Sequence, residues 1–227
     1  MVDRMTPAEE WWREHKVSLP TGQRGRWAIE HFKVEAGTRL PYFRVYGQDC
    51  PPGTYTRLVY YKDGPPEIAE TLDDMENPAG QSFMTDTPGE IEDHADVMAE
   101  IRRRGGRVLI HGLGLGLIAR FALDQPNVSH VDVVELDQDV IDLVAPHYRE
   151  ERLTIHRGDA RSYEWPAGSR WSVVWHDIWG DYRVENLEEM ASLHRRFDAM
   201  ADWQASWSEE FLIGLRRAEQ RRLERGG

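Results

Sequence analysis

Cysteine and long apolar runs are both scarce in this chain of 227 residues. Its single thiol, Cys50, cannot form an intrachain disulfide or a multi-thiolate metal cluster, so we expect a cytoplasmic protein. The longest apolar stretches, such as Leu113–Leu123, fall well short of the about 20 residues that cross a bilayer. Asp3 and Arg4 argue against a secretory start. We therefore expect no membrane partner.

Positive charge is scarce as well. The chain has 28 lysines and arginines against 40 aspartates and glutamates, which gives a formal net charge of −12. Most of such a surface repels a phosphate backbone, so we expect no nucleic-acid partner, although a local basic face stays open. Tryptophan is abundant by contrast, with nine residues, and this excess could mark a binding site.

The first 90 residues have their own pattern. A hydroxyl, a proline and a glutamate within Thr6–Glu9 predict a short N-terminal helix. Two-residue alternation over Trp27–Tyr61, interrupted by glycines and prolines, predicts a small antiparallel sheet. Apolar residues at three- and four-residue spacing then predict an amphipathic helix over Glu90–Arg104.

After Gly105-Gly106 the pattern alternates between strands and helices, which indicates a parallel α/β sheet. The predicted strands are Arg107–His111, Val131–Leu136, Leu153–His156 and Ser172–His176, with helices at Leu117–Asp124 and Asp139–His147. Beyond Tyr182 the pattern is helical, and we find no fifth strand there. The predicted fold class is therefore α/β, with a shortened Rossmann-like parallel sheet. We divide the chain into an N-terminal helix and β region (1–90), a core (91–182) and C-terminal helices (183–227).

A glycine-rich turn follows the first parallel strand. Gly112, Gly114 and Gly116 alternate with leucines, which permits close backbone approach, and the helix that follows offers free N–H groups to an anion. The turn departs from the dinucleotide fingerprint, because Leu117 stands where that motif has its third glycine. A plain strand-to-helix turn is the alternative.

Three further sites follow the next three strands. Glu135 can accept hydrogen bonds from both hydroxyls of a ribose, and Asp159, with Ala160 beside it, can accept one from an adenine amino group. Asp177 is placed to face a substrate, whereas adjacent His176 should point to the opposite side of the sheet. Each acid alone could be a surface, turn or capping residue. Together, the four sites predict a bound adenosyl ligand.

With these sites, the segment Thr54–Asp181 resembles the spermidine-synthase-like branch of class I S-adenosylmethionine-dependent transferases. The resemblance includes Glu90 and His94, which match the family's segment ahead of the sheet. It implies that His94 helps to hold the methionine carboxylate of the cofactor. A core or solvent-facing histidine is the alternative.

Two departures from this family decide between its chemistries. Leu115 replaces the aspartate that pairs with decarboxylated S-adenosylmethionine, and Asp177 is the only aspartate of the family's active-site motif in register. The resemblance therefore implies S-adenosylmethionine as cofactor and methyl transfer to a small-molecule amine or hydroxyl, with Asp177 as base or anchor. Aminopropyl transfer and a catalytically silent adenosyl-binding module stay as alternatives. We expect no metal, and a homodimer is open.

The later tryptophans bear on substrate. Trp203 and Trp207 are four residues apart and would share one face of a helix. With Trp179 they could form an aromatic wall for a planar or cationic acceptor. Filling of the core is the alternative.

Overall fold

A computed structural model of the chain describes residues 13–35, 50–62 and 80–226. Most of the predicted N-terminal helix lies outside these residues, and positions 13–15 are helical. Among the described residues, no helix combines the length and the apolar character needed to cross a bilayer.

An antiparallel sheet precedes the α/β part of the chain. Its four strands lie in sequence order, and the longest pairing joins β2 to β3, with Trp27 opposite Tyr60 and Phe32 opposite Tyr55. The fourth strand was not predicted from the sequence. The strands are β1 (Gly22–Arg24), β2 (Trp27–Val34), β3 (Gly53–Tyr61) and β4 (Gly80–Thr85).

The predicted helix before the parallel sheet is divided in two. Helix α1 (Pro88–Asp93) has proline in its first turn, and α2 (Ala95–Arg104) follows directly. The break is His94, whose φ of −102° and ψ of 4° depart from helical geometry. This break positions the His94 ring at the end of α1. Gly105 ends α2, as its sequence predicted.

The second sheet has five parallel strands in the order β7-β6-β5-β8-β9. Strands β6 and β7 lie on one side of β5, and β8 and β9 lie on the other. The topological switch point of the sheet is therefore between β5 and β8. The strands are β5 (Gly106–His111), β6 (Val128–Glu135), β7 (Leu153–Arg157), β8 (Val173–His176) and β9 (Gln204–Ser206). The associated helices are α3 (Leu117–Asp124), α4 (Gln138–Val144), α5 (Asn186–Phe197) and α6 (Glu209–Gly226).

The fifth strand corrects the expectation of a purely helical C-terminal region. Strand β9 lies between α5 and α6 and pairs with β8, so that His176 is opposite Ser206. Trp203 and Trp207 therefore flank a strand, and the predicted helix face that they share does not exist. Three residues are too few to show a two-residue alternation, and the pairing partner is about 30 residues away in sequence.

One hydrophobic core joins the two sheets. Phe32, Tyr55 and Met84 of the antiparallel sheet pack in the same cluster as Val108 and Ile110 of the parallel sheet. A second cluster on the other face of the parallel sheet contains Leu109 and residues of α5. The division at residue 90 stays a prediction, and packing is continuous across it.

Candidate active site

A cavity of about 230 Å³ opens at the carboxyl ends of the parallel strands. All five strands reach it, because its lining includes residues that directly follow each of them. The antiparallel sheet supplies part of the opposite wall. The lining residues include Trp27, Phe83, Met84, Glu90, Gly112, Gly114, Glu135, Asp159, Ala160, Asp177, Trp179 and Trp207.

Six of the eight predicted site residues therefore meet at one cavity. The other two are Gly116, which is the N-cap of α3 and contacts Tyr148, and His94, which lies behind Asp177. The contributions of Trp27, Phe83 and Met84 were not predicted. Phe83 and Met84 lie on β4, which was not recognised because its two large apolar residues are adjacent and do not alternate with polar ones.

The glycine-rich turn is needed for packing as well as for any ligand. Gly112 has a φ of +92°, and a Cβ there would lie 2.0 Å from the carbonyl oxygen of Asp177. Gly114 has a φ of +51°, and its Cβ would lie 2.4 Å from the sulfur of Met84. A side chain at either position is therefore disfavoured by the backbone conformation and also by the lack of space. The turn brings three parts of the chain together at the cavity floor.

Glu135 ends β6 with both carboxylate oxygens turned to backbone N–H groups. Leu113 N–H donates to Oε2 at 2.8 Å, and Asp137 N–H donates to Oε1 at 2.9 Å. Burial raises the pKa of Glu135, and these hydrogen bonds oppose that rise. Each oxygen keeps a further lone pair, so the carboxylate can still accept bonds from two ribose hydroxyls.

Asp159 follows β7 and makes a tight turn with the residues after it. Its Oδ1 accepts a hydrogen bond from Arg161 N–H at 2.9 Å. Within the described residues its Oδ2 has no hydrogen-bond partner and is free to accept from an adenine amino group. Ala160 is buried beside it. This loop and Glu135 fit the adenosyl half of S-adenosylmethionine.

Asp177 is held in place by His94. His94 Nε2 and Asp177 Oδ2 are 2.9 Å apart, and His94 Nδ1 is 2.7 Å from the carbonyl oxygen of Glu90. His94 is completely buried and both of its ring nitrogens are occupied. A direct contact of His94 with the methionine carboxylate stays a prediction, and it would require one of these two hydrogen bonds to be exchanged. In this structure the influence of His94 passes through Asp177.

The charges around Asp177 favour an ion pair. Burial lowers the pKa of His94, but the hydrogen bond and charge of Asp177 outweigh it and raise that pKa to about 9. Burial raises the pKa of Glu90 to about 8. The charge of His94 opposes this rise, and the charge of Asp177 adds to it. Burial also raises the pKa of Asp93 to about 6. At neutral pH the cluster holds a histidinium and a largely protonated Glu90.

His176 points away from the cavity, as the alternation of β8 predicted. It is completely buried, and its Nδ1 lies 2.8 Å from Nδ1 of His111. Its Nε2 contacts Gln204 Oε1 at 3.2 Å, which makes Nε2 the protonated nitrogen. Burial lowers its pKa to about 3. His176 is a neutral core residue.

Aromatic residues surround the end of the cavity near Asp177. Trp179 and Trp207 are both buried, whereas Phe83 is 40% exposed at the rim. Trp179 Nε1 donates to Glu189 Oε2 at 2.6 Å. Trp207 Nε1 is also buried, but it has no hydrogen-bond partner among the described residues. An unpaired buried donor is costly unless a ligand satisfies it.

Asp177 and Trp207 are neighbours across the sheet. Trp207 N–H donates to the carbonyl oxygen of His176 at 2.9 Å, and Asp177 N–H donates to that of His111 at 2.9 Å. These bonds continue the β5–β8–β9 pairing one residue past the strands. An aspartate and a tryptophan therefore lie at adjacent strand ends.

No known protein-family profile matches the sequence. Curated relatives include the ribosomal RNA small subunit methyltransferase A of Thiobacillus denitrificans, 38% identical over 85 residues, which are 37% of this chain and 31% of the relative. The protein of the same name from Laribacter hongkongensis is 36% identical over 88 residues, which are 39% and 32% of the two chains. The chain thus spans about a third of the length of these relatives.

Solved structures with a similar arrangement are methyltransferases. SAM-bound CalS10, an amino pentose methyltransferase from Micromonospora echinaspora, is 25% identical with a TM-score of 0.35, over 48% of this chain and 45% of CalS10. The CcbJ methyltransferase from Streptomyces caelestis is 18% identical with a TM-score of 0.38, over 48% and 45%. Scores this low carry no argument about function.

The predicted Rossmann-like fold class is confirmed, and the methyltransferase relatives bear out S-adenosylmethionine as the cofactor. The comparisons do not show the narrower spermidine-synthase-like resemblance. They overturn the expectation of a small-molecule acceptor without nucleic acid, because the curated relatives are ribosomal RNA methyltransferases. The net charge was given too much weight, because a local basic face, which the sequence left open, is enough to bind a phosphate backbone.

Proposed function

We propose that this chain is an S-adenosylmethionine-dependent methyltransferase that modifies a nucleobase nitrogen of RNA. The observation that carries the proposal is the position of Asp177, beside Trp207, in the cavity that also contains Glu135 and Asp159. The curated relatives are ribosomal RNA methyltransferases by name, which supports RNA as the acceptor class.

The cofactor half of the proposal depends on this chain's own polar groups. Glu135 accepts hydrogen bonds from a ribose and Asp159 Oδ2 accepts one from an adenine amino group. The glycine turn lines the same cavity, and Gly112 and Gly114 have positive φ angles that residues with side chains rarely adopt. When bound, S-adenosylmethionine supplies a methyl group on a sulfonium centre.

The acceptor half depends on complementarity with the edge of a base. Asp177 offers a hydrogen-bond acceptor at the cavity, and the Trp207 ring lines the wall beside it. An adenine or cytosine presents a matching amino N–H on its base edge. The rings of Trp179, Trp207 and Phe83 provide apolar surfaces for a flat base.

The chemistry that these residues perform is positioning and proton acceptance. A new bond between an amino nitrogen and the methyl carbon forms as the carbon–sulfur bond breaks, and the nitrogen loses one proton. Asp177 accepts that proton, while its contact with His94 fixes the carboxylate. Protonated Glu90 adds no second negative charge to the cavity at neutral pH. Leu115 is fully buried at the position of the aminopropyltransferase aspartate, so aminopropyl transfer is not favoured.

The Asp177→Asn variant tests this assignment. We expect transfer of a labelled methyl group to RNA to fall at least about 100-fold, which is typical for loss of a positioned base. Calorimetry should show that binding of S-adenosylhomocysteine changes less than about threefold, because Glu135 and Asp159 remain.

The matched control is Asp181→Asn, which alters a more exposed aspartate of the same loop that pairs with Arg183. It should retain the wild-type transfer rate. Full activity in Asp177→Asn, or equal losses in both variants, would remove Asp177 from the chemistry.

A further inference from the structure

The C-terminal half of α6 carries a positive charge that contrasts with the rest of the chain. From residue 214 to 226 there are five arginines and two glutamates, an excess of three positive charges. Because the whole chain has a net charge of −12, the other residues carry −15. We call the segment 214–226 the basic arm. Its charge is segregated on one element.

The basic arm projects from the body of the protein. Leu212 is completely buried, but every side chain from residue 214 to 224 is exposed. At 1.5 Å per residue, these 13 helical residues extend about 20 Å. Packing within the chain therefore does not explain why this segment is helical and arginine-rich.

The arginines of the arm are available for a ligand. Arg217 and Arg221 are one turn apart on one side of the helix, and Arg222 lies about 100° further round it. Within the described residues none of these three makes an ion pair or a hydrogen bond to a side chain. Guanidinium groups match phosphate oxygens in geometry and charge.

The root of the arm is at the rim of the active-site cavity. Trp207 lines the cavity, Ser208 turns the chain with a φ of 57°, and α6 begins at the next residue. Phe211 then packs edge-on against Tyr182, which itself stacks on Trp207. A strand of RNA with one base in the cavity would have its neighbouring phosphates on this side of the molecule.

We propose that the basic arm binds the phosphate backbone of the RNA substrate through Arg217, Arg221 and Arg222. This inference rests on the proposed function, and it names the surface that holds the acceptor strand. The main alternative occupant is the acidic surface of a second copy. The arm is poorly suited to a helical dimer, because Leu215 and Leu223 are separated by eight residues and form no heptad seam.

The test compares the unaltered chain with the triple variant Arg217→Gln, Arg221→Gln, Arg222→Gln. Fluorescence anisotropy measures binding of a labelled 20-nucleotide single-stranded RNA between 0.1 and 1 M salt, without S-adenosylmethionine. Loss of three phosphate contacts reduces the slope of log K against log salt by about 2. The same contacts make binding about 100-fold weaker at 0.1 M salt, with little difference at 1 M.

The control variant, Arg24→Gln, Arg103→Gln, Arg149→Gln, removes the same charge from exposed arginines elsewhere and should bind RNA within threefold of wild type. The proposal is overturned if the arm variant matches this control, or if the wild-type protein binds no RNA. It is also overturned if the arm variant loses only self-association in light scattering. RNA binding is measured without cofactor, and methyl transfer is assayed separately. If the wild-type protein binds RNA through the arm but transfers no methyl group, the inference about the arm holds and the proposed function is refuted.

Discussion

Asp177 is fixed from two directions, by its backbone bond to His111 and by its side-chain bond to His94. The order of strands and polar residues in the sequence was enough to predict its position at the cavity. The role of His94 was not predictable in the same way, because it depends on which atoms surround both ring nitrogens. A helical pattern over Glu90–Arg104 gives no sign of the break that turns this ring inward.

The variant His94→Gln tests the positioning role at the residue scale. Turnover should fall by about 10-fold or more, while binding of S-adenosylhomocysteine stays unchanged, because Asp177 loses its fixed partner and not its charge. The raised pKa of His94 means that the ion pair is fully present below pH 6.5 and is lost as pH rises through about 9. Wild-type activity should therefore decline near pH 9.

A pH profile of kcat for the wild-type protein and for His94→Gln measures this alkaline decline. The matched control is His147→Gln, which alters an exposed histidine. If His94→Gln shows the same alkaline decline as wild type, then another group causes it. If the variant loses cofactor affinity as strongly as turnover, then His94 has a structural role in the cavity.

At the scale of elements, the antiparallel sheet completes the active site. Met84 and Phe83 of β4 cover the glycine turn and the loop after β8, where Phe83 lies against Gly180. The sequence pattern predicted four of the five parallel strands, and β5, β6 and β8 are the ones that contain buried apolar runs. Strands β4 and β9 escaped prediction because their burial depends on distant partners, and the short β9 shows no pattern of its own.

Two glycine variants separate this tertiary contact from backbone strain. Gly114 and Gly168 both have positive φ, but a Cβ at Gly168 would meet no atom within 4 Å. We expect Gly168→Ala to lower the free energy of unfolding by about 1 kcal/mol, from strain alone. Gly114→Ala should cost about 1 to 3 kcal/mol more and weaken cofactor binding at least tenfold.

Urea unfolding and calorimetry measure the two effects. Adding Met84→Ala to Gly114→Ala should restore part of the lost binding, because it removes the sulfur that the new Cβ would meet. Equal destabilisation by the two single variants would show that β4 does not press on the turn.

At the scale of the whole molecule, a neutral histidine pair lies inside the second core. Burial lowers the pKa of His111 well below its usual range and that of His176 to about 3. The unfolded chain takes up protons near pH 6.5, whereas the folded chain does not. Stability is therefore complete above pH 6.5 and declines as pH falls toward 3, by up to about 1.4 kcal/mol per pH unit for each histidine.

Urea titrations at pH 7.5, 6 and 5 check this acid limb. His176→Asn should be less stable at pH 7.5 because it leaves a smaller side chain in the core, but its stability should fall less steeply with pH. Parallel slopes in the two proteins would assign the acid sensitivity to other groups.

The distribution of charge over the whole molecule explains why the net charge was a poor guide to a nucleic-acid partner. A net charge of −12 describes the sum, whereas the basic arm concentrates arginine on a single helix. The tryptophan excess proved more informative, since Trp27, Trp179 and Trp207 all line the cavity. Their positions could not be derived from the sequence, because they come from three elements far apart in the chain.

The most direct test of the central claim is mass spectrometry of nucleosides from RNA incubated with this protein and S-adenosylmethionine. The account predicts a methylated adenosine or cytidine with the wild-type protein, and none above background with Asp177→Asn. Unmethylated RNA, together with methyl transfer to a small amine or phenol in a parallel reaction, would contradict it.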